Sequence, residues 1–171
     1  STLRPMAACP NSPDAVQSIS SLKDIKVDQV AIGSCTNSGY EDLMKVANIL
    51  KGKKVADSVS LVISPGSRQV MMKLIEQGAL STFIEAGARI LESACGPCIG
   101  TGQSPKSDGV SLRTFNRNFY GRSGTLSAGV YLVSPEVAAV SALTGVISDP
   151  TTFDYPDDLT QEPVRIDDSM I

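Results

Sequence analysis

Val27-Asp28-Gln29-Val30-Ala31-Ile32-Gly33-Ser34-Cys35-Thr36-Asn37 is the stretch whose reading decides the fold. Residues 27–32 form a short run rich in β-branched side chains, and a polar turn follows. Leu43, Val46, Ala47 and Leu50 then recur at i, i+3, i+4 and i+7. A run of the first kind packs as a buried strand, and the spacing of the second lays one apolar stripe along a helix. Asn37 or Ser38 is the expected cap of that helix, with Glu41 and Asp42 placed favourably against the positive end of its dipole.

Working outward, the same alternation repeats. Residues 59–63 read as a strand, Pro65 and Gly66 as a turn, and Ser67 as the cap of a helix carrying Val70, Met71, Leu74 and Ile75 that Gly78 can end. A short helix over residues 80–86 stops at Gly87. Residues 88–91, 111–115 and 129–133 are further strand candidates, and Ser134-Pro135-Glu136 opens a last helix that Gly145 ends. Strands alternating with helices of this length predict an α/β domain, three layers α/β/α around a mostly parallel sheet. Its expected extent is residues 25–148. Residues 1–24, with Pro5, Pro10 and Pro13, read as a linker or extended arm, and residues 149–171 as an acidic tail punctuated by Pro150, Pro156 and Pro163. Both ends look like connections to further segments.

The 171 residues are 42% hydrophobic, enough for one real core and too few for two comfortable domains. The net charge is −3 with Lys and Arg scattered among acids, which argues against nucleic acid as a partner. No apolar run approaches the roughly 20 residues of a membrane helix, and no charged-then-apolar leader opens the chain. A soluble protein of the cytoplasm, or of the mitochondrial matrix in a eukaryote, is expected. The sequence contains no His. Ser-His and Cys-His nucleophilic schemes therefore cannot be assembled from this chain, and chemistry must rest on sulfur, carboxylates, Arg, Lys, hydroxyls or a cofactor.

Three motifs fall just beyond strand ends, where open α/β sheets collect ligands. Cys95-Gly96-Pro97-Cys98 brings two thiols toward one point. Thioredoxin-like pairs, structural zinc and iron–sulfur clusters all use such a turn. A redox pair ordinarily opens a helix that continues, whereas Ile99-Gly100-Thr101-Gly102 follows here. Zinc would need a fourth ligand, which only Cys9 in the arm could add to Cys35 and the pair. A cluster held by three thiolates leaves one iron open to act as a Lewis acid. Alternatively, Cys35 is merely a small buried hydrophobe. In the third motif, Asn116-Arg117-Asn118-Phe119-Tyr120-Gly121-Arg122, two guanidinium forks are suited to carboxylates, although surface ion pairs are an equal use for them.

Gly-Ser-Cys-Thr-Asn at 33–37, Ala-Cys-Gly-Pro-Cys-Ile-Gly at 94–100 and Asn-Arg-Asn-Phe-Tyr-Gly-Arg at 116–122 together resemble the third α/β domain of the aconitase family. Tyr131-Leu132-Val133-Ser134-Pro135-Glu136 extends the likeness, which covers residues 27–145. The resemblance implies that Cys35, Cys95 and Cys98 hold a [4Fe–4S] cluster, that Asn116 approaches it, and that Arg117 and Arg122 bind carboxylates of a tri- or dicarboxylic acid substrate. It implies a hydro-lyase that interconverts citrate and isocitrate through aconitate, the Gly-Pro and Ile-Gly of the cysteine motif leaning that way. Alternatives are an isopropylmalate or homoaconitate dehydratase large-subunit fragment and, in another class, a non-catalytic zinc or redox-sensing module. No catalytic residue is assigned within this chain. The family draws other active-site groups from further domains, in cis or as a separate subunit, so the chain is expected to be inactive alone, and a cluster so exposed is expected to be easily lost.

Overall fold

A computed structural model describes residues 4–34 and 36–155. The chain opens with β1 (Met6–Ala8) and β2 (Val16–Ser18), an antiparallel pair, followed by the single helical turn α1 (Ile19–Leu22). Residues 4–24 are therefore not a free arm. β1 pairs with a later strand through Ala8 and Leu132, and Ala7, Ile19 and Leu22 are buried in the main core. The prolines lie outside the paired positions of this hairpin, where the missing N–H removes no ladder bond.

The βαβ alternation then follows. β3 (Gln29–Gly33) leads to α2 (Tyr40–Leu50), β4 (Ser60–Ser64) to α3 (Arg68–Glu76) and α4 (Ala79–Ala86), and the two-residue β5 (Arg89–Ile90) closes that side. After a long irregular connection come β6 (Val110–Arg113), β7 (Gly129–Leu132) and α5 (Pro135–Thr144). The sheet order is β2-β1-β7-β6-β3-β4-β5, parallel from β7 to β5 and antiparallel at the β1–β2 edge. Ser67 and Ser134 cap α3 and α5 as expected, each accepting from the N–H three residues on. The cap of α2 differs: Gly39 takes that position without a side-chain bond. Ser38 instead bonds back to the Ser34 carbonyl within the loop that follows β3, and Asn37 donates to the Thr114 carbonyl.

The faces of the sheet are unequal. Val30, Ile32, Leu61, Ile63 and Leu112 point to one side, where they join Leu43, Ile49, Leu74, Phe83 and Val140 in the main core, all at most 2% exposed. Each such side chain contributes roughly 1.5–3 kcal/mol. The alternate positions, Gln29, Ala31, Val62, Ser111 and Arg113, face the other way, where only Ala31, Val62 and Phe115 make a small apolar cluster. α2 touches α3, α4 and α5, so these helices form one layer. The opposite face is covered by irregular chain from residues 91–107 with one 3₁₀ turn, in place of the helices expected for a third layer. Chain direction explains this. β3, β4 and β5 step one way across the sheet, whereas the connection from β5 to β6 steps back over them, and right-handed crossovers put those two journeys on opposite faces.

At the far end, Asp149 caps a short turn over Pro150–Thr152, and Phe153 and Tyr155 pack against the main core, so the domain extends past residue 148. The Lys53 ammonium lies 4.8 Å from the Phe153 ring centre. The remaining acidic-tail positions, 156–171, fall outside the described residues.

Candidate functional site

β3 and β6 are neighbours, but their successors β4 and β7 lie on opposite sides of them. This is the topological switch point, where connections diverge and leave a crevice beyond the carboxyl ends of the strands. Two loops meet there and are bonded together. Thr114 Oγ1 accepts from the Gly33 N–H and donates to the Gly33 carbonyl, both at 2.9 Å. The Asn37 amide donates to the Thr114 carbonyl at 2.6 Å, and Asn116 Oδ1 accepts from Thr36 Oγ1 at 2.9 Å and from Asn37 Nδ2 at 3.3 Å. With its oxygen so held, Asn116 is left with its amide nitrogen as the group available to a ligand.

The backbone at the end of β3 is unusual. Gly33 has φ +142°, and a Cβ there would stand 2.3 Å from the Ser64 carbonyl oxygen of β4. Ser34, next along, holds φ +111°, a region that costs a non-glycine residue about 1–3 kcal/mol. Strain of this kind persists where surrounding bonds enforce it, and here the Ser34 carbonyl accepts from Ser38 Oγ while its own Oγ accepts from the N–H groups of Thr36 and Asn37. Cys35 itself lies outside the described residues.

The covering loop supplies the other thiols. Cys95 is exposed and Cys98 half-buried, with the 3₁₀ turn Gly96–Ile99 between and after them and the Cys98 N–H donating to the Cys95 carbonyl at 3.2 Å. The turn ends at Gly100 without continuing as a helix, unlike a thioredoxin-type pair. Cys98 packs against the small cluster of Ala31, Val62 and Phe115.

Cys95, Cys98, Phe115, Asn116, Arg117 and Arg122 line one cavity of about 370 Å³, with Ser34 at its edge. That volume lies within the roughly 300–1,000 Å³ range of ligand sites. Arg117 is exposed, with Nη1 3.3 Å from the Asn116 carbonyl. Arg122 is half-buried against the Phe119 ring, and its Nε is buried without a hydrogen-bond partner among the described residues. Among the described residues no acidic side chain lines the cavity. Thiols, two guanidinium groups and an orphaned N–H donor make a site for an anionic group, which an iron–sulfur cluster on thiolates and a carboxylate both are. The donor set thus fits a cluster. Among the described residues no three metal-ligating side chains gather.

A further residue of the site was not anticipated from the sequence. Arg113, at the end of β6, is fully buried. Its Nη1 donates to the Pro97 carbonyl at 2.7 Å, Nη2 to Gln103 O at 2.6 Å and Gln29 Oε1 at 2.9 Å, and Nε to Ser111 Oγ at 3.0 Å. It lies over the Phe115 ring. Burial pulls its pKa down to about 10, Cys98 acting to raise it and Arg122 to lower it, so it stays charged at neutral pH. The available signal was the alternation Ser111, Leu112, Arg113 read together with Gln29, which the register places opposite Ser111.

The aconitase family (aconitate hydratase) matches residues 7–145. The chain is similar to the 3-isopropylmalate dehydratase large subunits of Clostridioides difficile (49% identical over 151 residues, 87% of this chain and 36% of that protein) and Elusimicrobium minutum (48%, covering 88% and 36%). Large subunit 2 from Archaeoglobus fulgidus is 44% identical, covering 90% of this chain and 37% of that protein. The chain thus spans little more than a third of these relatives. They carry the name of the alternative raised by the sequence, not of the citrate enzyme toward which its cysteine motif leaned. The chain belongs to the aconitase family.

Proposed function

We propose that this chain is the cluster-binding domain of a hydro-lyase of the isopropylmalate dehydratase type, with Cys35, Cys95 and Cys98 as ligands of a [4Fe–4S] cluster. The observation that carries the reading is the one cavity in which Cys95, Cys98, Asn116, Arg117 and Arg122 meet, free of acidic side chains among the described residues. Such a cluster, with one iron lacking a protein ligand, supplies a Lewis acid for the departing hydroxyl.

The chain's own residues bind and orient. Arg117, at the exposed rim, meets the dicarboxylic acid first, and the half-buried guanidinium of Arg122 takes a carboxylate from another side of the cavity. Two forks on one acid fix both its position and its rotation, which is where most of the gain from a prearranged site arises. Asn116, held through its oxygen, donates from its amide nitrogen. Proton removal falls to groups outside this chain, in further segments or a partner subunit, and turnover is expected only with them. The names of the relatives favour isopropylmalate over citrate as substrate.

Anaerobic incubation with iron and sulfide tests the proposal. A brown protein containing iron and sulfide in equal amounts is expected, with loss of both in Cys35→Ser, Cys95→Ser and Cys98→Ser. Stoichiometric zinc with no iron uptake would overturn it in favour of a structural metal module, and a Cys95–Cys98 disulfide that excludes iron would favour a redox sensor.

A further inference from the structure

Among the described residues the most anomalous group is the Arg113 guanidinium, fully buried and hydrogen-bonded there to neutral partners alone. The ion pairs between described residues, Lys45–Glu136 and Lys106–Asp28, do not include it. A buried charge is ordinarily paired, because desolvation is costly and neutral hydrogen bonds return only part of that cost. Arg113 has no such partner among the described residues, and its contacts indicate where an anion would be set against it. Nη1 holds the Pro97 carbonyl, directly before Cys98, and Nη2 holds Gln103 in the same covering loop.

Resting on the cluster reading above, we propose that Arg113 is a positioning residue with two linked tasks: it anchors the Cys95–Cys98 turn to the sheet, and it supplies the buried counter-charge for the anionic thiolate-bound group formed there.

Both tasks follow from geometry. The turn has little apolar anchorage, since only Pro97 of its residues 95–99 is buried. The bonds from Arg113 run from β6, the strand whose next residues carry Asn116 and Arg117, so one side chain sets the distance between the thiols and the anion-binding loop. The charge acts through a dry interior: Gln29, Ser111 and Gln103 around it are each under 9% exposed, where Coulombic effects are far stronger than at the surface. A positive charge so placed favours whichever redox state of a bound group carries more negative charge. It therefore raises the reduction potential.

The two tasks can be separated. Gln29→Glu is nearly isosteric, keeps an oxygen to accept from Arg113 and Ser111, and gives the guanidinium a carboxylate of its own. The Arg113 anchor survives, with only the 3.4 Å bond from Gln29 Nε2 to the Gln103 carbonyl given up, while the field is cancelled. Arg113→Lys keeps the charge and loses the fork; Arg113→Met loses both. After anaerobic reconstitution, iron content and the midpoint potential from a spectroscopic redox titration are read for each protein. Gln29→Glu is expected to shift the oxidised-to-reduced ratio at fixed potential at least about tenfold toward oxidised, a fall of about 59 mV for one electron, with Arg113→Met falling in the same direction. Arg113→Lys should stay near the wild-type potential and retain less iron. Should Arg113→Met not fold, Gln29→Glu and Arg113→Lys decide. A wild-type potential in Gln29→Glu with normal iron content would refute the counter-charge alone. Wild-type iron retention in Arg113→Lys would refute the anchor, and failure of the wild-type protein to take up iron would remove the cluster reading and this inference together.

Discussion

Replacing Gly100 with alanine tests whether the Cys95–Cys98 turn is seated against the arginine loop by direct backbone contact. Gly100 has φ +90°, and a Cβ there would stand 2.0 Å from the Ser123 carbonyl oxygen, 2.6 Å from its carbon and 2.8 Å from Ser104 Oγ. Two penalties add. A left-handed conformation costs an L-residue about 1–2 kcal/mol. Crowding against backbone cannot be relieved by turning a side chain, and overpacking of this kind costs about 1–3 kcal/mol. The expected loss is about 2–5 kcal/mol of folding stability. Gly87 provides a matched control, since its φ is +100° and a Cβ would meet nothing within 4 Å. Gly87→Ala should therefore show the conformational penalty alone, about 1–2 kcal/mol. Urea unfolding of both variants and the wild type measures the difference, and reconstituted iron content reads the site, which Gly100→Ala should disturb and Gly87→Ala should leave intact. Equal destabilisation by the two substitutions would refute the reasoning.

Asn118 is buried, and its amide donates to the Cys9 carbonyl at 2.6 Å and the Val130 carbonyl at 3.3 Å, tying the segment after β1 to β7. Asn118→Ala should cost about 1–3 kcal/mol and speed amide hydrogen exchange in residues 6–18 before the rest of the sheet. Asp28 has its pKa lowered, first by its hydrogen bond with Lys106, offset in part by burial and aided by the Val110 N–H. A carboxyl depressed in the fold stabilises above its unfolded pKa of about 3.9, and the contribution is lost as pH falls through the lower folded value. Unfolding free energy measured between pH 5 and the acid limit (roughly the range where carboxylates protonate) should fall less steeply in Asp28→Asn than in the wild type. Cys9 is half-buried with its thiol pKa raised by desolvation, whereas Cys95 is exposed, so peptide mapping after brief iodoacetamide treatment of the metal-free protein should find Cys95 alkylated first; preferential labelling of Cys9 would contradict the described exposure.

Periodicity made the helical face of this domain legible. The stripe Leu43, Val46, Ala47, Leu50 and the runs around Ile32 and Ile63 are burial patterns, and burial is what built those elements. The opposite face was harder to read because its cover has no period. Residues 91–107 form a layer through carbonyl groups accepting from Arg113 and Gln29, and such bonds leave no regular trace in side-chain order. The hairpin at residues 6–18 was missed for a similar reason: strands of three residues are too short to show alternation, and the prolines beside them read as breakers. At the site, Cys95, Cys98, Asn116, Arg117 and Arg122 were recognised by motif, and the structure brings them to one cavity. Asn37 or Ser38 reads as a helix cap because a polar residue before a helix serves that use so often, yet Gly39 takes the position. Arg113 was hidden by its strand, where a long charged side chain is expected to reach solvent.

The unequal faces of the sheet also divide the labour of remaining folded. The apolar mass lies with the helices, while the side bearing the thiols is sealed by a loop fastened through a few polar bonds and one arginine. Regions with few buried apolar contacts open at lower free energy than the molecule as a whole. Were the proposed cluster bound, its assembly would require only a brief lifting of the loop, with the helical half left undisturbed. In hydrogen exchange this would separate the amides of Cys98, Gly100 and Gln103, exchanging early and slowed by iron, from those of Ile32 and Ile63, which would report only on global melting.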